Sequence, residues 1–315
     1  MNNYLLIILS ILVSLGLGEL ILPILKKKKI GQNIREVGPQ SHLAKAGTPT
    51  MGGIIFIIAS LVLSLIFLDF SLGNLILIIS MLGFGAIGFI DDFRKLVLKQ
   101  SEGLSPKGKL VLQFVLAIII TTMAYINDKD SIGLIRIPFT NISLELGIFG
   151  IPLMIFIIVG TTNATNLTDG LDGLLASVSV PVFVTLAILG KGSDNEIFSY
   201  IMMGTLLGFL FFNSNPASVF MGDTGSMAIG GAVVGLAIVL KIPIYLVIFG
   251  GIYMVETLSV IIQVTSYRYR NKKRVFLMTP IHHHFELKGY KEAKIVVAFT
   301  VVSVILCMIT LAALA

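Results

Sequence analysis

The chain has 315 residues, of which 56% are hydrophobic and 13% charged, with a mean hydropathy of +0.96 and a formal net charge of +6. Because soluble domains carry about 25% charged residues, this composition excludes a soluble globular protein and indicates an integral membrane protein. The long apolar runs are continuous, which excludes a transmembrane β-barrel with its alternating strands. They leave no room for a separate soluble domain, so we predict one all-α membrane domain over residues 1–315.

Ten apolar segments follow one another along the chain. They are Leu5–Leu25, Thr50–Leu68, Leu75–Ile90, Leu110–Ile126, Leu146–Val159, Leu174–Leu189, Ile197–Phe212, Ser226–Leu240, Ile244–Val264 and Ile295–Leu314. Several are shorter than the roughly 20 residues that cross a bilayer, so we expect some to be broken or to extend past these limits. The sequence therefore predicts about ten transmembrane helices.

The loops between these segments alternate in charge. Counted from the N-terminus, the odd-numbered loops hold 19 of the 23 lysines and arginines. The even-numbered loops hold Lys129, Arg136, Lys191 and Lys241. Because basic loops remain on the cytoplasmic side, we predict that the odd-numbered loops are cytoplasmic and that both termini lie outside.

The polar motifs of the chain fall on one side of this predicted topology. All of them lie in odd-numbered loops, although the loops were assigned to sides from basic residues alone. The motifs are Asp91-Asp92, the segment 163–173, Asp223 and His282-His283-His284. This agreement predicts a cytoplasmic active site at the membrane surface.

The central polar stretch is Asn163-Ala-Thr-Asn-Leu-Thr-Asp-Gly-Leu-Asp-Gly173, and apolar segments flank it on both sides. Asp169 and Asp172 are three residues apart, a spacing that puts both carboxylates on one side of a helical turn. A polar, acidic turn between two membrane spans is costly unless it faces water, a metal ion or a polar substrate. We interpret this stretch as the centre of the site.

The third apolar segment ends in Asp91-Asp92-Phe-Arg-Lys95. These charges fit a solvated helix end that pairs with itself. Two adjacent carboxylates also suit Mg²⁺, which takes one or two carboxylates together with phosphate oxygens of a substrate. Lys107 and Lys109 follow in the same loop, where basic residues either anchor a span on the cytoplasmic side or contact phosphate.

Asp223 lies between glycines just before the eighth apolar segment, at the end of a long polar turn. It fits a helix N-cap residue. Glycines beside a carboxylate at a helix start also let a phosphate and a metal ion approach the backbone closely. The length of the turn and its lack of basic residues favour this second interpretation.

Three histidines, His282, His283 and His284, lie in the most basic loop. Successive residues cannot all reach one ion from regular structure, and a structural zinc site is not expected in a chain with one cysteine. The run fits a solvated loop attracted to anionic lipid. Its apolar neighbours Ile281 and Phe285 instead favour inward packing and a phosphate or sugar contact.

Three further positions are candidates for the site. Lys45 is a candidate anion contact in the loop before the second segment, where Thr50 is able to cap the helix. Acidic residues within membrane spans are functional candidates by default. Glu19 and Glu256 are of this kind, and Glu256 is the stronger because the nearby Gly250-Gly251 is able to bend its helix.

Three of these motifs together resemble one family across nearly the whole chain. They are Asp91-Asp92-Phe-Arg-Lys95, the stretch 163–173 and Phe220-Met-Gly-Asp-Thr-Gly225. In this order and spacing they are similar to polyprenyl-phosphate N-acetylhexosamine-1-phosphate transferases. Two more segments resemble the branch formed by the bacterial phospho-N-acetylmuramoyl-pentapeptide transferases, Ser41-His-Leu-Ala-Lys-Ala-Gly-Thr-Pro-Thr-Met-Gly-Gly53 and Pro280-Ile-His-His-His-Phe-Glu-Leu-Lys-Gly289.

The resemblance implies a reaction, a cofactor and partners. Enzymes of that branch transfer phospho-MurNAc-pentapeptide from UDP-MurNAc-pentapeptide to undecaprenyl phosphate, which yields lipid I and UMP in peptidoglycan synthesis. The resemblance implies a Mg²⁺-dependent, multi-pass enzyme with ten spans among the lipids of the bacterial cytoplasmic membrane, commonly a homodimer. No nucleic-acid partner is expected.

The resemblance also implies roles for individual residues. Asp223 would be the Mg²⁺ ligand, Asp91 would orient or deprotonate the attacking lipid phosphate, and Asp92 would support metal or phosphate positioning. The phosphate charge would be balanced by Lys95 and Lys107, and the pyrophosphate or sugar would be contacted by His282, His283 and His284. The nucleotide substrate would be bound by Lys45, Thr50, Asn166, Asp169, Asp172, Asn213, Phe220 and Gln263, with Phe220 able to stack on uracil.

Alternatives remain for the mechanism and for the function. Direct attack by the lipid phosphate and a two-step route through an aspartyl-phosphate use the same residues; direct attack is favoured because it needs no strongly activated aspartate. A sister transferase that takes UDP-GlcNAc fits the three shared motifs but not the histidine loop. A cation transporter would carry its acids at mid-bilayer, often in inverted repeats, whereas most acids here lie in loops on one side.

Overall fold

The structure is a computed structural model that describes residues 2–27, 45, 47–96, 98, 103–140 and 142–314. These ranges are mostly helical. The helices are α1 (Asn3–Lys27), α2 (Gly53–Phe67), α3 (Leu72–Leu96), α4 (Pro106–Asn127), α5 (Asp130–Gly133), α6 (Gly150–Thr168), α7 (Leu174–Leu189), α8 (Asp194–Asn213), α9 (Gly222–Val239), α10 (Leu246–Phe249), α11 (Gly251–Tyr269), α12 (Ile281–Leu287) and α13 (Glu292–Leu314). A short antiparallel hairpin joins β1 (Leu134–Arg136) to β2 (Ser143–Glu145), with Ile135 opposite Leu144.

The helices confirm an all-α polytopic membrane protein. Within the described residues, seven helices are long and apolar enough to cross a membrane, namely α1, α3, α4, α6, α8, α9 and α13. An eighth span arises if the segments Pro243–Phe249 and Gly251–Tyr269, which meet at 82°, are counted as one. The helices α2 and α7 are apolar but shorter. Each of the ten predicted segments coincides with helical residues.

The bend between α10 and α11 lies where the sequence predicted it. Gly250 separates the two helices, and a Cβ atom at this position would lie 2.6 Å from the backbone oxygen of Leu246. A glycine therefore fits this tight corner, and the prediction that Gly250-Gly251 bends the helix that carries Glu256 is confirmed.

Helix α9 is the most deeply buried of the seven long apolar helices, and it packs closely against α3. A Cβ atom on Gly231 would lie 2.2 Å from the backbone oxygen of Ser80, and one on Gly88 would lie 2.1 Å from that of Asp223. Small residues allow helices in a membrane to approach closely. This packing holds the start of α9, with Asp223, against the end of α3, with Asp91 and Asp92.

Two boundaries differ from the sequence-based expectation. Helix α6 continues to Thr168, well beyond the predicted limit at Val159, so Asn163 and Asn166 lie on a helix instead of a turn. The N-cap of α9 is Met221, and Asp223 lies inside the first turn, so the N-cap interpretation of Asp223 was wrong. In both cases the polar residues continue the helix, because their side chains find partners across the helix packing.

Candidate active site

Asp91 and Asp223 come together from α3 and α9, and two lysines lie between them. Lys109 Nζ is 2.7 Å from Asp223 Oδ2 and 3.6 Å from Asp91 Oδ2. Lys95 pairs with Asp91 one turn away on α3 and lies 3.5 Å from Asp223 Oδ2. Since each ammonium group faces two carboxylates, the lysines offset the repulsion between acids that the packing of α3 and α9 brings together.

Asp92, the neighbour of Asp91, faces the start of α9. Its Oδ2 atom accepts hydrogen bonds from the backbone N–H of Thr224 at 2.9 Å and from the Thr224 hydroxyl at 2.7 Å. Gly222 adopts a positive φ of 76°, and a Cβ atom there would lie 2.7 Å from Asp92 Oδ2. Glycine is therefore required both by the backbone and by the carboxylate, and Asp92 ties α3 to the first turn of α9.

The last turn of α6 brings the central polar stretch to the same place. Asn166 Nδ2 donates to Asp223 Oδ1 and to Ser226 Oγ, both at 2.9 Å. Asp169 directly follows α6. Burial first, and then the negative charges of Asp223, Asp92 and Asp172, raise the pKa of Asp169 to about 8. A cation bound among these acids would lower this pKa, since it would favour the ionised carboxylate.

Asp172 forms a second cluster with Lys45 and Glu292, the first residue of α13. Lys45 Nζ lies 2.7 Å from Asp172 Oδ1 and 2.6 Å from Glu292 Oε1. Asn215 Nδ2 donates to both carboxylates, at 3.1 Å and 3.0 Å. Burial disfavours the charge on Lys45, but its hydrogen bonds to Asp172 and Glu292 outweigh that effect and raise its pKa. Lys45 is therefore held as a cation beside the central stretch.

The loop that carries Lys45 and Thr50 is held against the loop that carries Phe220 by backbone hydrogen bonds. The Phe220 N–H donates to the Pro49 carbonyl at 2.8 Å, and the Gly52 N–H donates to the Phe220 carbonyl at 2.9 Å. Lys45 Nζ lies 6.0 Å from the centre of the Phe220 ring, and Thr50 is buried. The earlier part of this predicted loop, residues 40–44, lies outside the described residues.

The three histidines lie at the start of α12, and each has its own partner. His282 is buried, with Nδ1 3.0 Å from Glu256 Oε1 on α11. His283 Nδ1 lies 2.7 Å from Glu286 Oε2. The backbone N–H of Leu277 donates to His284 Nδ1 at 3.1 Å.

The Nδ1 atoms of the three histidines therefore have three different neighbours, on α11, on α12 and in the loop before α12. Burial and the nearby Lys288 lower the pKa of His284. Of the three, His282 is the one that packs against the central stretch, where it touches Gly170.

Comparison with known proteins extends over nearly the whole chain. Residues 74–241 match the family described as Glycosyl transferase family 4, and residues 45–57 match phospho-N-acetylmuramoyl-pentapeptide-transferase signature 1. A relative named phospho-N-acetylmuramoyl-pentapeptide-transferase from Desulfitobacterium hafniense is 50% identical over 313 residues, which cover 94% of this chain and 93% of the relative. A protein of the same name from Clostridium botulinum is 47% identical over 306 residues, which cover 96% of this chain and 93% of that protein.

The chain belongs to the phospho-N-acetylmuramoyl-pentapeptide-transferase family. The signature at residues 45–57 contains Lys45 and Thr50, and the larger match contains Asp91, Asp92 and Asp223. The histidines lie beyond both matches but within the full-length similarity to the relatives.

Three of the predicted site residues of this transferase lie outside the two charged clusters. Gln263 accepts from the backbone N–H groups of Val275 and Phe276 and donates to the Phe276 carbonyl, so it holds the loop before the histidine helix. Asn213 donates to the Val219 carbonyl within its own turn. Lys107 is exposed, and within the described residues no ion-pair partner lies near it.

Sequence reasoning missed two charged residues of these clusters. Lys109 was considered only beside Lys107, yet Ser105 caps α4 and Pro106 begins it, a signature of a helix start. Lys107 and Lys109 are then about 200° apart around the helix, so only one of them faces the carboxylates. Glu292 carries no signal in the sequence, because its partner Lys45 is 247 residues away.

The donor set of the Asp91–Asp223 cluster fits a magnesium ion held jointly with a substrate. Among the described residues, no group of three or more Asp, Glu, His or Cys side chains forms a complete metal site. Mg²⁺ does not require one, since it takes one or two carboxylates and completes its shell with water and phosphate oxygens. The carboxylates of Asp91, Asp92 and Asp223 are hard oxygen donors of this type.

Proposed function

We propose that this transferase moves phospho-MurNAc-pentapeptide from UDP-MurNAc-pentapeptide to undecaprenyl phosphate and thereby forms lipid I and UMP in peptidoglycan synthesis. The observation that carries the proposal is the meeting of Asp91, Asp223, Lys95 and Lys109 beside the central stretch. Two polyanionic substrates must approach each other, and such reactions depend on positioned positive charge. The names of the full-length relatives agree with this reaction.

Asp223 would hold Mg²⁺, with Asp92 supporting it, and a bound ion would neutralise phosphate charge. Lys95 and Lys109 lie between the carboxylates and are positioned to turn toward substrate phosphates that enter the cluster. Asp91 is buried between these lysines and would orient or deprotonate the lipid phosphate for direct attack. Asn166 fixes the orientation of the Asp223 carboxylate through its hydrogen bond.

The second cluster would bind the uridine nucleotide. Phe220 would stack on uracil, and Lys45 lies close to its ring. Thr50, Asp169 and Asp172 would line the same pocket, since the loops of Thr50 and Phe220 are joined by backbone hydrogen bonds. Asn213 and Gln263 would support this pocket through the loops that they hold. The histidines would contact the pyrophosphate or the sugar.

Contacts at the far ends of the helices support the proposed topology of ten spans with both termini outside. The loops predicted to be external meet one another: Asn74 donates to Asp194, and Lys241 pairs with Asp128. Asn3, at the start of α1, donates to Glu196 in the same set of loops. Counting α2, α7 and the bent pair as spans gives ten.

This arrangement would place the active site on the cytoplasmic side of the bacterial inner membrane, in a single domain. The family resemblance implies a phosphate contact for Lys107, but Lys107 is exposed on the other side of α4 from Lys109, so it would contribute only long-range positive charge. We also propose that this transferase assembles as a homodimer, as the family resemblance implies.

The first test is UMP release by purified protein in detergent with UDP-MurNAc-pentapeptide, undecaprenyl phosphate and Mg²⁺. We expect release that depends on the lipid, stops when EDTA removes the metal, and falls by at least about 100-fold in Asp223→Asn. Glu145→Gln, the same chemical change on the exposed strand β2, is the matched control and should retain full activity.

Two outcomes would count against the proposal. No release from well-folded protein would reject the muramoyl substrate, and release from UDP-GlcNAc instead would identify the sister transferase. Unchanged activity of Asp223→Asn would reject Asp223 as the metal ligand.

A further inference from the structure

Glu256 and His282 form a buried pair, and the proposed reaction gives Glu256 no role so far. Their side chains are 0% and 1% exposed, and the Glu256 Oε1 to His282 Nδ1 distance is 3.0 Å. Within the described residues, neither Glu256 Oε2 nor His282 Nε2 has a hydrogen-bond partner. Buried polar atoms without a partner are uncommon in native proteins and often mark a functional position.

The unpartnered Nε2 atom faces the central polar stretch. A Cβ atom on Gly170 would lie only 2.1 Å from His282 Nε2 and 2.5 Å from Cε1, so the imidazole ring lies directly against the backbone there. Gly170 has no positive φ, which means that the glycine is needed for space and not for its backbone conformation. Asp169 and Asp172 are one and two residues away. Nε2 is therefore aimed at the loop that the substrate is proposed to contact.

The partner of one ring nitrogen decides what the other can do. A carboxylate can only accept a hydrogen bond, so a His282 ring bound to ionised Glu256 carries a proton on Nδ1. Catalytic triads use the same arrangement, in which a buried carboxylate holds the tautomer and the orientation of an imidazole. The neighbouring His284 is the opposite case: its Nδ1 accepts a backbone N–H, so its proton lies on Nε2 when the ring is neutral.

We propose that Glu256 is a positioning residue that fixes the tautomer and the orientation of His282, so that His282 Nε2 is presented to a substrate group bound beside Gly170. The inference rests on the proposed function, because it assigns a role in the same reaction. It singles out His282 among the three histidines: only His282 combines full burial, a carboxylate from another helix and a nitrogen aimed at the central stretch.

The tautomer can be measured directly, since the chain contains four histidines. Full-length protein labelled with ¹⁵N-histidine in detergent micelles gives at most eight ring-nitrogen signals, and His282→Gln identifies those of His282. We expect a proton on Nδ1 of His282 in the wild type and its loss or transfer to Nε2 in Glu256→Leu, with the His284 signals unchanged. A wild-type His282 without a proton on Nδ1, or one unaffected by Glu256→Leu, would overturn the proposal.

Kinetics separate a positioning role from a merely structural one. Glu256→Leu should lower kcat by about 100-fold while the KM for the nucleotide changes less than about threefold, since the loss concerns orientation. Tyr253→Phe is the matched control: it removes a buried hydroxyl on the same helix, bonded to Ser179 at 2.7 Å, and should lower Tm without lowering kcat. Equal effects of both variants on kcat would show that α11 acts only through stability and would overturn the proposal.

A second variant covers the case in which Glu256→Leu does not fold. Glu256→Asp keeps the charge but shortens the reach to Nδ1, and we expect it to lose at least about tenfold in kcat. Full activity of Glu256→Asp would overturn the proposal. Failure of the wild type to release UMP would refute the proposed function alone, because the NMR measurement still decides whether Glu256 sets the tautomer of His282.

Discussion

Replacing Gly170 by alanine should displace the imidazole ring of His282. The new methyl group would lie 2.1 Å from Nε2 and 2.5 Å from Cε1, whereas non-bonded heavy atoms pack at about 3.5 Å or more. The ring must therefore move by roughly 1.4 Å, or the central loop must shift by as much. The backbone at Gly170 has no positive φ, so alanine itself causes no backbone strain there.

The size of the effect follows from this displacement. Misplacing a catalytic or binding group by about 1 Å costs on the order of 100-fold in rate, which corresponds to about 2.7 kcal/mol of transition-state stabilisation. Gly→Ala also lowers the conformational entropy of the unfolded chain, which stabilises the folded state by about 0.4 to 1 kcal/mol. This effect would not lower activity. We therefore expect Gly170→Ala to reduce kcat/KM by about 100-fold in a protein that remains folded.

A double-mutant cycle tests the cause of that loss. UMP release would be measured for the wild type, Gly170→Ala, His282→Ala and the double variant, with Gly160→Ala as the control because a Cβ atom there meets nothing within 4 Å. Once the imidazole is gone, the methyl group has room, so Gly170→Ala should cost less than about threefold in the His282→Ala background. An equal cost in both backgrounds, or no cost in the wild type, would refute the steric argument.

Two further predictions concern the charged residues around the site. Lys109→Ala should lower kcat/KM by at least about 100-fold because it leaves Asp91 and Asp223 without one of their shared cations, while Lys107→Ala should stay within about threefold; equal losses would contradict the geometry. In metal-free buffer, the stability of the folded protein should fall as the pH rises from about 5 to 8, because the folded state keeps the Asp169 proton up to a pKa of about 8 whereas the unfolded chain releases it near pH 4. The slope from this group reaches at most about 1.4 kcal/mol per pH unit. Thermal unfolding of Asp169→Asn should show a flatter pH dependence, and an unchanged slope would contradict the assignment.

The sequence was sufficient where a property depends on local composition. Each predicted apolar segment coincides with helical residues, because continuous hydrophobicity is the property that selects membrane helices. The polar motifs that the charge pattern sorted to one side also meet in space, from Asp91 to His282. The helix bends at Gly250-Gly251, as predicted, and the corner there leaves no space for a side chain.

The sequence failed where a contact joins distant residues or depends on where a helix begins. For Asp223 the sequence left two interpretations open and favoured the site; the N-cap alternative fails because α9 begins one residue earlier, at Gly222, with Met221 as its N-cap. The choice between Lys107 and Lys109 depends on the start of α4 at Pro106, four residues before the apolar segment begins at Leu110. The pairs Lys45–Glu292 and Glu256–His282 are set by tertiary packing alone, and no local pattern in one sequence encodes them.

The central stretch connects three parts of the site that are far apart in sequence. Asn166 bonds to Asp223 in the carboxylate cluster, Gly170 lies against His282, and Asp172 pairs with Lys45. These contacts come from Asn166, at the end of one helix, and from the six residues that follow it, so their relative positions are fixed by a short piece of backbone. A substrate that spans the three contacts would then meet the protein groups for its phosphate, sugar and nucleotide at fixed distances from one another. This backbone orders those protein groups before the substrate arrives.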